Sequence, residues 1–181
     1  MRCLPRDEAD ALAKKLDREI AECARPKAVL YEDSASARDY AVAARAIAGC
    51  AGRFSEAAVL FRWALRGDGW DDLTSSDETW SRYRNWRASN GEHRRLYEAP
   101  AHLFGGDEMA LFAKAIEFAL SLGWDAMVAA KPKRQLILLS HDYRIEIYHG
   151  FGGGALTRQL IGLGWRMADA RRNGEGSRYA R

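Results

Sequence analysis

The chain has 181 residues, 48% of them hydrophobic and 29% charged, the usage of a globular protein long enough to bury roughly 70% of its unfolded surface without disulfide or metal staples. That composition excludes the polar bias of a disordered chain, and no stretch approaches the ~18 uninterrupted apolar residues of a membrane-spanning helix. The net charge is +3; six arginines against Asp169 and Glu175 place +4 between Thr157 and Arg181 and leave −1 for the remainder.

Three cysteines, Cys3, Cys23 and Cys50, have no CxxC spacing and fit apolar helix positions, which points to free thiols in a reducing compartment. Charges recur every few residues through the first twenty, so no apolar leader is expected and a cytoplasmic location is.

Asp7 to Ala24 carries Leu12, Leu16, Ile20 and Cys23 on one helical face and stops before Pro26. Lys27 to Glu32 reads as a short extended piece. Ser34 or Ser36 can cap a second helix running to Gly49. Ser55 can cap a third over SEAAVLFRWALRG, closed by Gly67. The acidic stretch DGWDDLTSSDE reads as a loop, after which Ser76 or Asp77 starts a fourth helix that Asn90-Gly91 ends. Asp107 to Leu122 has two adjacent apolar stripes and a narrow polar strip, the pattern of a mostly buried helix.

Beyond Gly123 the period changes to two. AMVAA, a KPKR turn, QLILLS and YRIEIYH predict an antiparallel three-strand meander, with QLILL apolar on both faces as in a covered central strand. A last helix begins near Ala155, weakened by Gly162 and Gly164. Helices and strands are segregated along the chain, so the predicted class is α+β. The predicted organisation is one domain over residues 1–172, mainly helical up to residue 100 and helix, meander, helix over 107–172, followed by a flexible basic tail, 173–181.

Three stretches carry candidate chemistry. The first is the hairpin end, His141 to His149. A two-residue loop at His141-Asp142 suits residues that tolerate positive φ. Alternation along the third strand then puts Asp142, Arg144, Glu146 and Tyr148 on one face. His141, Asp142, Glu146 and His149 are the catalytic candidates if the protein hydrolyses phosphodiesters or nucleotides, and a divalent metal is the cofactor that chemistry would need. Within the strand Asp142 and Glu146 lie about 13 Å apart, too far to share a metal unless the hairpin bends, and pairing with Asp125 or Glu117 could complete such a set. The helix, three-strand, helix order, with an acid near the end of the second strand and Glu146 on the third, loosely resembles the core of PD-(D/E)xK nucleases. Tyr148 stands where that family carries its lysine.

The second stretch is GFGGGA, Gly150 to Ala155, between a strand and a helix. Gly150, Gly152, Gly153 and Gly154 would let backbone N–H groups approach an anion, with the helix N-terminus and Arg158 adding positive charge. A dinucleotide site is rejected, because no further strand and acidic residue follow within a βαβ unit.

The third is WSRYRNWRASNGEHRR, Trp80 to Arg95, where Trp80, Tyr83 and Trp86 are interleaved with Arg82, Arg84, Arg87, Arg94 and Arg95. Arginines beside aromatics suit nucleic acid through phosphate contacts and stacking. Helical spacing of the same aromatics also suits a buried stripe with solvated arginines opposite. No G-x-S-x-G, HExxH, CxxC or Walker motif is present.

Three functions remain open from sequence. One is a small binding or regulatory protein acting on nucleic acid, or on a partner that handles nucleic acid, without a cofactor. The others are the metal-dependent hydrolase and a protein inhibitor of the immunity type that docks through its aromatic surface.

Overall fold

The computed structural model describes residues 1–23, 25–32, 39–66, 78–132, 135–149 and 154–168. Among these the order is β1 (Arg2–Leu4), α1 (Arg6–Glu22), β2 (Ala28–Glu32), α2 (Tyr40–Ala51), β3 (Glu56–Phe61), a 3-10 turn (Trp63–Arg66), α3 (Glu78–Ser89), β4 (Ala101–Gly105), α4 (Met109–Ser121), β5 (Ala126–Lys131), β6 (Gln135–Ser140), β7 (Arg144–His149), α5 (Gly154–Gly162) and β8 (Trp165–Met167). The α+β class holds. The predicted meander is present as β5-β6-β7, but it is the middle of a larger sheet of order β1-β4-β3-β5-β6-β7-β2-β8, in which every adjacent pair is antiparallel.

The enlarged sheet corrects several sequence expectations. EAAVLF is β3 and not the start of a helix. Its Ala57, Val59 and Phe61 join the core on one face of the sheet, and Leu60 joins the core on the other. A strand covered on both sides loses the alternation that marks strands, and six apolar residues match either period. Ala101–Gly105 and the three-residue strands β1 and β8 also went unpredicted, being too short to show a period. The last helix ends at Gly162. The chain then turns through Gly164, whose φ of +90° only glycine adopts freely, and Trp165 returns as β8 along the sheet edge.

Helix α1 packs on one face through Ala9, Ala13 and Leu16, above Leu4, Leu60, Ala101, Met127 and Leu136. The other four helices cover the opposite face. There the alanines Ala43, Ala44, Ala48 and Ala51 let α2 lie close against α4. Asp39 caps α2, its carboxylate accepting from the Val42 N–H at 3.0 Å, while residues 33–38, with Ser34 and Ser36, lie outside the described residues. At the other end of α2 the buried Gln135 donates to the Cys50 and Ala51 carbonyls, both at 3.3 Å, two of the acceptors a helix C-terminus leaves open.

The β6–β7 connection has three residues, not two. Ser140 pairs with Arg144, Tyr143 N–H donates to the Ser140 carbonyl at 3.0 Å, and the positive φ of +51° falls on Tyr143. This is the three-residue hairpin with a left-handed third position.

Gly106, in the turn before α4, has no room for a side chain, since a Cβ there would lie 2.5 Å from the Phe54 carbonyl oxygen. Two backbone segments must part to admit it. Gly106→Ala is expected to cost about 2 kcal/mol, a drop of roughly 4–8 °C in Tm for a chain of this size; an unchanged melting curve would contradict the close approach.

Candidate functional site

Trp80, Tyr83 and Arg87, at spacings of three and four, are the buried face of α3. Arg82, Arg84 and Asn85 are exposed. The aromatics form a cluster centred on Tyr83, whose ring meets those of Phe61, Trp80, Trp86, Phe118 and Trp124 at centroid distances of 5.1–6.0 Å. Trp86 is half-buried and turned against Tyr83, His102 and Phe118.

Helix α3 ends in a Schellman motif. Gly91 takes φ +82°, its N–H donates to the Ala88 carbonyl, and the Glu92 N–H donates to the Arg87 carbonyl, both at 3.0 Å. This closure sets Glu92 beside Arg87. Arg94 then holds the Glu92 carboxylate by both oxygens, through Nε at 2.9 Å and Nη2 at 2.5 Å, with its own N–H adding a third bond at 2.9 Å. These bonds draw the Glu92 carboxyl down to about 2 against the desolvation that raises it. Arg94 Nη2 also donates to the Cys3 carbonyl at 3.1 Å, tying the loop to β1.

Beneath this loop lies a buried polar chain. His102 on β4 is fully buried, with Cys3 Sγ 3.0 Å from Nδ1 and the Tyr83 hydroxyl 2.8 Å from Nε2. Burial, helped by the Arg87 charge, pushes His102 down to about 3. The ring is therefore neutral, with one N–H to give and one lone pair to receive. Burial also raises the Cys3 thiol to about 11, with Arg87 and Glu92 beside it. Cys3 is thus a packed, unreactive thiol. In the native protein a thiol-specific dye should leave Cys3 unmodified until the chain is unfolded, and labelling of Cys3 at the rate of a free thiol would refute its burial.

Between α3 and the loop is a pocket of about 410 Å³, lined by Trp80, Arg84, Arg87, Glu92, Arg94 and Arg95 among others. Arg87 is only 4% exposed. Its Nη2 donates to the Ala99 carbonyl at 3.2 Å and its guanidinium lies over the Tyr83 ring, but its buried Nε–H has no acceptor. Arg84 reaches over the Trp80 ring at 5.7 Å. The lining therefore joins the buried, incompletely satisfied Arg87 to three exposed arginines. Of these residues the sequence places Trp80, Arg84, Arg87, Arg94 and Arg95 in one candidate stretch; Glu92, which holds Arg94, gives no such sign by itself. The Asn90-Gly91 helix stop, followed at once by Glu-His-Arg-Arg, was the available signal.

The other sequence candidates lie elsewhere. Arg158 is on α5, beside β8 at the far end of the sheet order from β1 and β4, with its guanidinium folded back toward Gly154. Gly154 is the exposed first residue of α5; Gly150, Gly152 and Gly153 lie outside the described residues, as do residues 169–181. Gly154 and Arg158 are thus not on one surface with the α3 arginines.

At the hairpin end the His141 ring and backbone N–H both engage Asp125 Oδ1, at 3.0 and 2.8 Å. The ring also lies 3.3 Å from Asp142, and the bond to Asp125 raises the His141 pKa. Glu146 is on the α1 face of β7, where it accepts from the Tyr148 hydroxyl at 2.5 Å and lies 2.9 Å from Arg144. β7 is flanked by β6 and β2, so this polar face is not on an edge strand. Glu117 pairs with Lys114. His149 closes β7, with its backbone paired to Leu136. No group of three His, Cys, Asp or Glu among the described residues is arranged to hold a metal ion, and no helix among them is long and apolar enough to cross a membrane.

Comparison with known protein families, curated proteins and solved structures finds no match to this chain.

Proposed function

We propose that the protein is a binding protein for the phosphate groups of nucleic acid and that the pocket between α3 and the Gly91–Leu96 loop is its contact site. The observation that carries this reading is the four arginines lining one small pocket, one of them, Arg87, buried with an Nε–H that has no acceptor. Arginine presents donors in a planar fork matched to phosphate oxygens, and an unsatisfied buried donor costs about 1–3 kcal/mol that a bound oxygen would recover. The buried placement of Trp80 and Tyr83 assigns recognition to charge, not to base stacking.

An anisotropy titration of a labelled single-stranded oligonucleotide at 50 and 200 mM salt tests it. Three or four phosphate contacts weaken binding about 20- to 50-fold over that range. Arg84→Ala should lower the slope of log affinity against log salt by about one contact. Absence of binding at 50 mM salt, or binding indifferent to salt, refutes the proposal.

A further inference from the structure

We infer that the group this pocket is shaped for is a phosphate monoester, the terminal phosphate of a nucleic-acid strand, and not the diester of a strand's interior. This rests on the reading of the pocket as a nucleic-acid phosphate site and narrows it.

Size is the first ground. At about 410 Å³ the pocket is near the lower limit of small-ligand sites, whereas surfaces that follow a single strand extend over roughly 4–16 nucleotides. The whole lining comes from one stretch of chain, Trp80 to Leu96, and no basic side chain from α5 or β8 extends it, since those elements lie at the other end of the sheet order.

Depth is the second. Arg87 is 4% exposed; its Nη2 is held by the Ala99 carbonyl and its Nε–H alone lacks an acceptor, and only a projecting group can approach a side chain so deep. A diester phosphorus continues into sugar on both sides and cannot project; a terminal phosphate can, and it brings three free oxygens where a diester brings two.

Charge is the third. Arg84, Arg87, Arg94 and Arg95 against Glu92 leave the lining at +3. The one acid is already committed, because both of its oxygens are held by Arg94, so Arg87 is left without a carboxylate of its own. A monoester carries roughly −1.5 to −2 at neutral pH, a diester −1. The doubly charged group is the better complement to a lining that has excess positive charge and no free acid to repel it. Glu92 then positions Arg94, fixing its guanidinium fork before the ligand arrives.

The test is a competition series with the full chain. A labelled 5′-phosphorylated 12-mer is displaced in turn by the same strand with a 5′-phosphate, with a 3′-phosphate, with neither, and by circular single-stranded DNA. A strand phosphorylated at one of its ends should compete at least tenfold better, per molecule, than the unphosphorylated strand, and circular DNA should compete no better per nucleotide than that strand. Arg87→Lys should bring the phosphorylated and unphosphorylated strands within about twofold of each other. Because Arg87 is buried, Arg84→Ala and Arg95→Ala, both at exposed positions, serve as the second pair and should each shrink the preference severalfold with an unchanged melting temperature. Equal competition by all four nucleic acids overturns the inference while the broader phosphate reading survives. No binding of any of them removes both. A nucleoside monophosphate added alone separates the sources: displacement at comparable concentration overturns the strand end as the specific ligand in favour of the free nucleotide, and failure to displace supports the strand end.

Discussion

Replacing His102 with phenylalanine is expected to lower the unfolding free energy by about 2–3 kcal/mol at pH 7.5 and by under 1 kcal/mol at pH 5. The loss at pH 7.5 comes from the two neighbours. Phenylalanine keeps a ring against Phe61 and Trp86, but the Cys3 thiol and Tyr83 hydroxyl lose their buried partner, and each orphaned polar group costs about 1–3 kcal/mol, less for a thiol. The narrowing at pH 5 comes from linkage. His102 is held down to about 3 by burial and by Arg87, so between pH 6.5 and 3 the unfolded chain binds a proton there that the folded chain does not. The stability it confers is full above pH 6.5 and declines as pH falls, by about 1.4 kcal/mol per unit. From pH 6.5 to 5 the parent protein loses about 2 kcal/mol through this group, and the phenylalanine variant loses none of it.

Glu92 and Cys3, beside that ring, act outside the compared range of pH 7.5 to 5. Glu92, drawn down to about 2, stabilises above its unfolded value near 4.5 and gives this up only between pH 4.5 and 2. The Cys3 thiol, raised to about 11, stays neutral throughout. His141 has a raised pKa, so its contribution is complete below pH 6.5 and fades as pH rises through its folded value. Urea unfolding of both proteins at pH 7.5, 6.5 and 5 measures the difference, and a gap constant across the three pH values would show that His102 titrates in the folded state.

Tyr83→Ala should cost about 4 kcal/mol, and Arg84→Ala, one residue along the same helix, no more than about 0.5 kcal/mol. Tyr83 is fully buried and five aromatic rings surround it; truncating a large aromatic leaves a cavity its neighbours fill only in part, at about 3–5 kcal/mol. Tyr83→Phe isolates the bond to His102 and should cost about 1–2 kcal/mol. Arg84 is exposed and offers only a solvated cation–π contact to Trp80, worth about 0.5 kcal/mol. The order reverses for ligand: Arg84→Ala should weaken oligonucleotide binding severalfold at low salt. Chemical denaturation and anisotropy on the same two proteins separate the roles, and a destabilising Arg84→Ala would mean that the basic face of α3 holds the fold together.

This division was partly legible in the sequence. The period of Trp80, Tyr83 and Arg87 fixes one buried face, and the alternative of a core stripe with arginines opposite was on the table from spacing alone. Spacing does not say that Arg87 lies on the apolar side, because an arginine among arginines gives no sign of its burial. The Glu92–Arg94 pair was illegible for another reason: it depends on the left-handed turn at Gly91, and β1, which Arg94 contacts, is about ninety residues away. The meander β5-β6-β7 was read correctly because its strands are consecutive and joined by short turns. β1, β4 and β8 find their partners at long range, and three to five residues carry too little pattern to reveal it. The SEAAVLF segment failed where a doubly covered strand and a buried helix look alike.

The strand order β1-β4-β3-β5-β6-β7-β2-β8 has a consequence for synthesis. In the first hundred residues the chain contains β1, β2 and β3, and no two of them are neighbours; β1 waits for residues 101–103, and β2 for residues 144–147 and 165–167. Among the described strands, a nascent chain leaving the ribosome therefore has no pairing open to it until β4 has emerged, and the sheet is completed only when β8 arrives. Helices can form early, but the sheet closes late, over the long sequence separations that slow folding to milliseconds or seconds, with unpaired apolar strands such as EAAVLF uncovered in the interval.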